Sequence, residues 1–210
     1  ILMFKKLFVI PALILAAVLC FGFAQGAMAA PEIGQPAPDF EGVNVLTGET
    51  VKLSDLKGKT VVLEWTNAEC PYVVKHYSSG NMQKTQETAK ADFGATWITV
   101  LSSAPGKQGH LTAEDAKKGV EESKAVPDAK ILDETGAIGK LYDAQTTPHM
   151  FIVNAEGNLV YKGAIDSDSS TRPEAIEGST NYVLAALGSL KDGKAIEHAS
   201  TQPYGCAVKY

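Results

Sequence analysis

The run Thr60-Val-Val-Leu-Glu-Trp65 is β-branched and mostly apolar, which suits a central strand buried within a sheet. A short loop later, Pro71 opens a stretch free of further proline to about Ala91. Proline is favoured at the first helical position, so a helix is expected there, with Gly80 as a point of kinking or interruption. A buried strand running almost directly into a helix demands a layered α/β arrangement, and the remaining segments extend it. Ala95 to Leu101 and Ala129 to Leu132 read as further apolar strands, and Thr112, with Asp115 three residues on, caps a helix to about Lys124. Ala137 to Tyr142 reads as a short helix. His149 to Val153 and Leu159 to Tyr161 form a hairpin turned at Glu156-Gly157-Asn158, and a last helix spans about Asn181 to Leu190. Strands alternating with helices before a closing hairpin predict a mixed sheet covered on both faces. Ahead of it, Val43 to Leu46 and Val51 to Leu53 make a small hairpin around Thr47-Gly48; behind it, Asp192 to Tyr210 has no periodicity.

The first residues have a different character. Lys5 and Lys6 precede an uncharged run from Leu7 to Phe23, and Ala27-Met-Ala29 supplies the small residues a signal peptidase needs. Residues 1–29 are therefore expected to be an export signal, with a retained membrane anchor as the alternative, since the run borders on a spanning length. Cys20 is poorly placed for lipidation, because Ala17 and Leu19 occupy the positions where a lipobox has leucine and a small residue. The expected organisation is a signal at 1–29, one domain at 30–191 and a tail at 192–210. Without the signal, 17 basic residues face 24 acidic ones. That balance argues against nucleic acid or an anionic membrane surface as partner, since both reward clustered Lys and Arg.

Removing the signal leaves two cysteines, Cys70 and Cys206, in an oxidising compartment. Cys70 sits at the predicted helix start, where free N–H groups and the helix dipole favour a thiolate and so a nucleophile. Glu69 beside it opposes that effect. The alternative for Cys70 is a small buried apolar residue without chemistry.

Six segments together resemble the thioredoxin superfamily, and within it the redoxin, or peroxiredoxin-like, branch of exported bacterial proteins. They are Gly34-Gln-Pro-Ala-Pro-Asp-Phe40, Leu53-Ser-Asp-Leu-Lys-Gly58, Val61 to Trp65, Cys70-Pro71, Thr147-Pro-His-Met-Phe-Ile-Val153 and Gly157 to Gly163. The resemblance covers about Ile33 to Leu190. It implies a thioredoxin-like α/β fold and thiol-disulfide oxidoreductase chemistry needing no organic cofactor. Cys70 resembles the first cysteine of the family's Cys-x-x-Cys, with Val73 where the second would stand. Pro148 resembles the proline held cis beside that cysteine, orienting Thr147 toward substrate; Trp65 is the other residue expected at the substrate. Glu64 falls where thioredoxins keep a buried, proton-accepting carboxylate, with a solvated strand glutamate as the alternative.

Peroxiredoxins of this type use Pro-x-x-x-Thr-x-x-Cys, whereas Leu63 and Asn67 occupy the matching places here, and the chain's one arginine, Arg172, lies in an acidic loop. A hydroperoxide is thus a weaker expectation than a thiol or disulfide substrate, protein or small molecule, served by a thiol protein as electron donor. By analogy with peroxiredoxins that resolve through a C-terminal arm, Cys206 is the expected resolving thiol. The stretch from Asp192 to Cys206 extends roughly 45 Å, enough to wrap back across the domain. Two alternatives stand beside it: a structural Cys70–Cys206 bridge contributing about 4 to 5 kcal/mol in a non-catalytic binding module, or unpaired or intermolecular thiols. A metal site from His76, His149 and the cysteines is not expected, for want of two closely spaced cysteines. Asp166-Ser-Asp168-Ser-Ser170 echoes a calcium loop but reads as an acidic surface loop. Ser102 to Leu111 reads either as the frame of an access path or as a plain mobile loop.

Overall fold

A computed structural model describes residues 30–210; the predicted signal segment, with Cys20, lies outside the described residues. Among the described residues no helix is long and apolar enough to cross a membrane. The elements run β1 (Glu41–Val43), β2 (Thr50–Lys52), β3 (Val61–Trp65), α1 (Pro71–Ser78), α2 (Asn81–Phe93), β4 (Thr96–Leu101), α3 (Ala113–Ser123) and β5 (Ala129–Leu132). They continue with α4 (Ala137–Tyr142), β6 (Thr146–Thr147), β7 (His149–Val153), β8 (Leu159–Gly163), α5 (Tyr182–Lys191) and β9 (Cys206–Ala207).

The main sheet has five strands in the order β5-β4-β3-β7-β8. β3, β4 and β5 are parallel and β7 and β8 antiparallel to their neighbours, so the sheet is mixed, with β3 at its centre. Every residue of β3 and β7 is buried, which is why both read as continuous apolar runs rather than alternating ones. Because side chains alternate, β3 serves two cores. Val61, Leu63 and Trp65 pack with Phe40, Ile131, Tyr142 and Phe151 on one face, while Val62 packs with Met82, Trp97, Ile152 and Leu187 on the other. Burying each such side chain stabilises the fold by about 1.5 to 3 kcal/mol.

The long helix expected from Pro71 is two helices. Gly80 lies in the left-handed region at φ 76° and forms the corner between α1 and α2. α3 begins on its cap as expected: Thr112 Oγ1 accepts from the Asp115 N–H at 3.1 Å. α5 is capped likewise by Asn181, whose Oδ1 accepts from the Leu184 N–H at 3.0 Å.

The tail is ordered against this body. Its Thr201 N–H donates to the Lys162 carbonyl at the edge of β8, and β9 pairs antiparallel with β6. Two glycines make the close approach possible. A Cβ on Gly163 (φ 144°) would lie 2.1 Å from Thr201 Oγ1, and one on Gly205 (φ 141°) would lie 2.0 Å from the Thr147 carbonyl oxygen.

Candidate active site

The site forms where three pieces of chain meet: the N-terminus of α1, the β6–β7 junction, and β9 of the tail. Cys70 is the residue that precedes Pro71, so it caps α1, and it is fully buried. The Thr147–Pro148 peptide is cis. Thr147 stands opposite Cys206 in the β6–β9 register. Both thiols are free.

Cys70 Sγ lies 3.0 Å from the Thr147 carbonyl oxygen, to which a thiol there donates. As a thiolate, the same sulfur is an acceptor. Burial alone pushes its pKa up, but hydrogen bonds from the Cys206 thiol, the Thr147 hydroxyl and the N–H groups of Val73 and Cys206 outweigh burial and hold it below the ordinary thiol value. The Thr147 hydroxyl is buried and has no other partner, so it is free to serve the thiolate. Cys206 moves the opposite way. Burial, then the hydrogen bond with Cys70 and the charge on Cys70, push it up to about 11, against the pull of Lys209. The two shifts run in opposite directions, so Cys70 is the more readily ionised thiol of the pair and Cys206 the one that holds its proton longer.

Glu64 is fully buried beneath α1 and α2. Its carboxylate accepts from Tyr77 Oη at 2.8 Å, Trp97 Nε1 at 2.8 Å and Gln86 Nε2 at 3.3 Å. Burial raises its pKa and these donors pull it back in part. It is not the solvated glutamate of the alternative reading, but its hydrogen-bond partners do not include either thiol.

Trp65 departs from expectation. Its side chain is fully buried, packed against Tyr142 and Phe151, with Nε1 donating to Ser102 Oγ at 3.0 Å. An indole enclosed in this way belongs to the core and presents no exposed face at the site. Asn67, at the place of the peroxiredoxin threonine, spends its side chain on the Glu69 N–H (2.9 Å) and the Gln108 carbonyl (3.3 Å). Arg172 is exposed, just before the Pro173–Ile176 turn of 3-10 helix.

The acidic loop is also not a plain surface loop. Asp166 is 2% exposed and accepts from the Tyr204 hydroxyl, while the buried Lys75 ammonium lies 3.8 Å from it and 3.2 Å from Asp168. His76 completes the cluster. Asn81 Nδ2 stands 2.8 Å from Nδ1 and Tyr204 Oη 3.1 Å from Nε2, an arrangement that fits a neutral ring accepting at Nδ1 and donating at Nε2. His149 is likewise buried, at the start of β7. Among the described residues no cluster of His, Cys, Asp and Glu could hold a metal ion. Thr147 and Cys206 were legible as single residues, whereas Tyr204 and Gly205 carried no motif and Asp166 read only as part of an acidic surface loop, although all three set the tail against α1 and Thr147.

The Redoxin family pattern matches residues 32–177, and the chain belongs to that family. Its fold is the thioredoxin-like one. An uncharacterized conserved protein from Geobacillus kaustophilus superposes with a TM-score of 0.70 at 25% identity, over 85% of this chain and 92% of that one. A hypothetical protein from Sinorhizobium meliloti gives 0.70 at 21%, over 87% and 96%. The thioredoxin domain of a thiol-disulfide oxidoreductase from Bacteroides vulgatus gives 0.51 at 26%, over 71% and 98%. No curated protein matches the chain.

Proposed function

We propose that the protein is an exported thiol-disulfide oxidoreductase in which Cys70 is the nucleophile and Cys206 the resolving thiol. The observation that carries this reading is the delivery of Cys206, in strand register with Thr147, onto the sulfur of a cysteine already biased toward thiolate. The Cys70 thiolate attacks a substrate disulfide, forming a mixed disulfide and releasing one substrate thiolate. That step consumes the charge on Cys70, which together with burial and the Cys70 hydrogen bond had raised Cys206. Cys206 then loses its proton more readily, and its thiolate attacks the Cys70 sulfur. The second substrate thiol leaves, and a Cys70–Cys206 disulfide remains. A dithiol electron donor returns two electrons and two protons to reset the pair.

The thioredoxin-domain relative from Bacteroides vulgatus, itself a thiol-disulfide oxidoreductase, supports the reaction class. Export rests on Lys5, Lys6 and the apolar run after them as a signal at 1–29, ahead of a catalytic domain at 30–191 and a resolving tail at 192–210. In the reduced state β9 occupies the Thr147 edge where the family resemblance places substrate. Substrate entry therefore requires β9 to lift, and Pro148 and Thr147 then orient what replaces it. Glu64 touches no thiol and is proposed only as a distant proton store.

The test is thiol trapping with mass spectrometry across a dithiothreitol series, on the wild type and on Cys206→Ser. The wild type is expected to show a reversible Cys70–Cys206 pair with a potential well above about -300 mV. Cys206→Ser is expected to stop after one cycle with a Cys70 adduct. A Cys70–Cys206 bridge that resists reduction at lower potentials would instead make the pair structural, and a Cys206→Ser protein that keeps turning over would remove the resolving role.

A further inference from the structure

We propose that a cavity between α1 and α3, on the face of the sheet that carries Glu64, binds a small monocarboxylate with an aliphatic or aryl body. Its carboxylate is received by Lys130 Nζ and the Thr99 hydroxyl. The cavity has a volume of about 400 Å³. Its floor carries Thr99 and Lys130, two members of a polar row set by strand register: Glu64 on β3 pairs with Thr99 on β4, which pairs with Lys130 on β5, so all three project to one face. Its walls are apolar, chiefly Val73 and Val74 from α1, Val120 from α3, Leu101, Leu111 and Pro127.

The floor is unfinished. Thr99 is 1% exposed, and its hydroxyl is buried with no hydrogen-bond partner. Lys130 is 9% exposed and lines the same cavity, and among the described residues its ammonium makes no hydrogen bond or ion pair. Glu64, two strands across the sheet and held by three donors, attracts Lys130 through space but makes no ion pair with it. Buried polar groups are nearly always satisfied, and a buried cation more so, so an orphan hydroxyl beside an orphan ammonium marks a place that a ligand completes.

The chemistry of the ligand follows from the inventory. One ammonium and one hydroxyl match a single carboxylate; a phosphate would leave charge and lone pairs unserved. The rest of the surface rewards a hydrocarbon body. The one acid at the rim, Glu122, is exposed and 3.6 Å from Lys118, so it does not repel a carboxylate held at the floor. Val74, 45% exposed, stands at the cavity's edge as an apolar lip.

Octanoate titrated into the protein by isothermal calorimetry is expected to bind saturably, one to one, and octanol at least tenfold more weakly, since it keeps the body and loses the charge. Lys130→Met is expected to cost octanoate at least tenfold, and Val120→Trp, which fills the cavity, to abolish binding while thermal melting confirms a folded protein. Cys70→Ser is expected to bind octanoate unchanged, so this result stands or falls apart from the thiol chemistry. Absence of saturable octanoate binding, octanol binding as tightly as octanoate, or an unchanged affinity in Lys130→Met each overturns the proposal. The octanoate–octanol comparison uses the unaltered protein, so it decides even where a variant fails to fold.

Discussion

The layered body and the tail that follows α5 are held by different forces. The body is fixed by two apolar cores, one on each face of a sheet whose central strands are buried throughout. The tail has no fully buried residue; Ile196, Tyr204 and Val208 rest against the edges of the cores, and the rest of its hold is by separate polar anchors. Thr201 Oγ1 accepts from the Ala164 N–H at 2.9 Å, Tyr204 donates to Asp166, and Tyr210 donates to the Ala144 carbonyl at 2.7 Å. A neutral hydrogen bond contributes only about 1 kcal/mol, whereas a core loses stability cooperatively. The body therefore keeps Cys70 and Thr147 in place while the tail, with Cys206, can be released one anchor at a time. That asymmetry is what a fixed nucleophile and a movable resolving thiol require.

The sharpest way to break the comparison is to damage a polar group inside the body. Glu64→Ala would leave Trp97 Nε1, Tyr77 Oη and Gln86 Nε2 around a cavity with no acceptor. Removing one partner of a buried charged network costs about 3 to 5 kcal/mol, which urea denaturation would register as a large fall in midpoint with the slope unchanged. A loss under about 1 kcal/mol would mean that the carboxylate is not the organising group under α1.

The next effect is shared by body and tail. Burial lowers the pKa of His76 to about 4 and that of His149 to about 3, His149 with help from Lys162. For His76, Asp166 opposes burial and Lys75 reinforces it. Unfolded imidazoles take up protons near pH 6.5 while these two stay neutral, so the unfolded state binds more protons below that value. Stability is therefore fully present above about pH 6.5 and falls as pH drops, the His76 share levelling off near pH 4. A tenfold difference in proton affinity between the folded and unfolded imidazole is worth about 1.4 kcal/mol, so His76 contributes about 3 kcal/mol to the loss. Urea midpoints between pH 7 and pH 4 check this, and His76→Gln is expected to flatten the curve. Because His76 holds Tyr204, the same acidification loosens the tail.

The same division explains what could be read from the sequence. β5 and α4 fell at the expected residues because apolar spacing and flanking breakers define them locally. Gly80 marked a real corner. The Cys70-Pro71 helix start and Thr147-Pro148 were visible as motifs. Trp65 was misplaced because a strand-end aromatic looks the same whether it faces a cleft or the core, and only the packing of Tyr142 and Phe151 decides. The order in the tail was invisible because isolated anchors have no period, and Asp166 looked like surface because its partners Tyr204 and Lys75 are remote in sequence.

The smallest expected change in stability tests the tail most directly. At Gly205 a methyl group would meet the Thr147 carbonyl oxygen at 2.0 Å, and the backbone there sits at φ 141°, where side chains are rarely tolerated. Gly205→Ala must therefore push β9 off β6. The apolar cores are untouched, so the global urea midpoint should move by no more than about 1 kcal/mol. The chemistry should move much more. Cys206 supplies Cys70 with both a thiol and an N–H hydrogen bond, so losing the strand removes two of the donors that depress Cys70. The pH midpoint of iodoacetamide alkylation at Cys70 is then expected to rise toward the ordinary thiol value, while alkylation at high pH speeds up because the strand no longer covers the sulfur. Formation of the Cys70–Cys206 disulfide should fall about tenfold at fixed oxidant. An unchanged alkylation midpoint would mean that the body alone, through Thr147 and the start of α1, tunes the nucleophile.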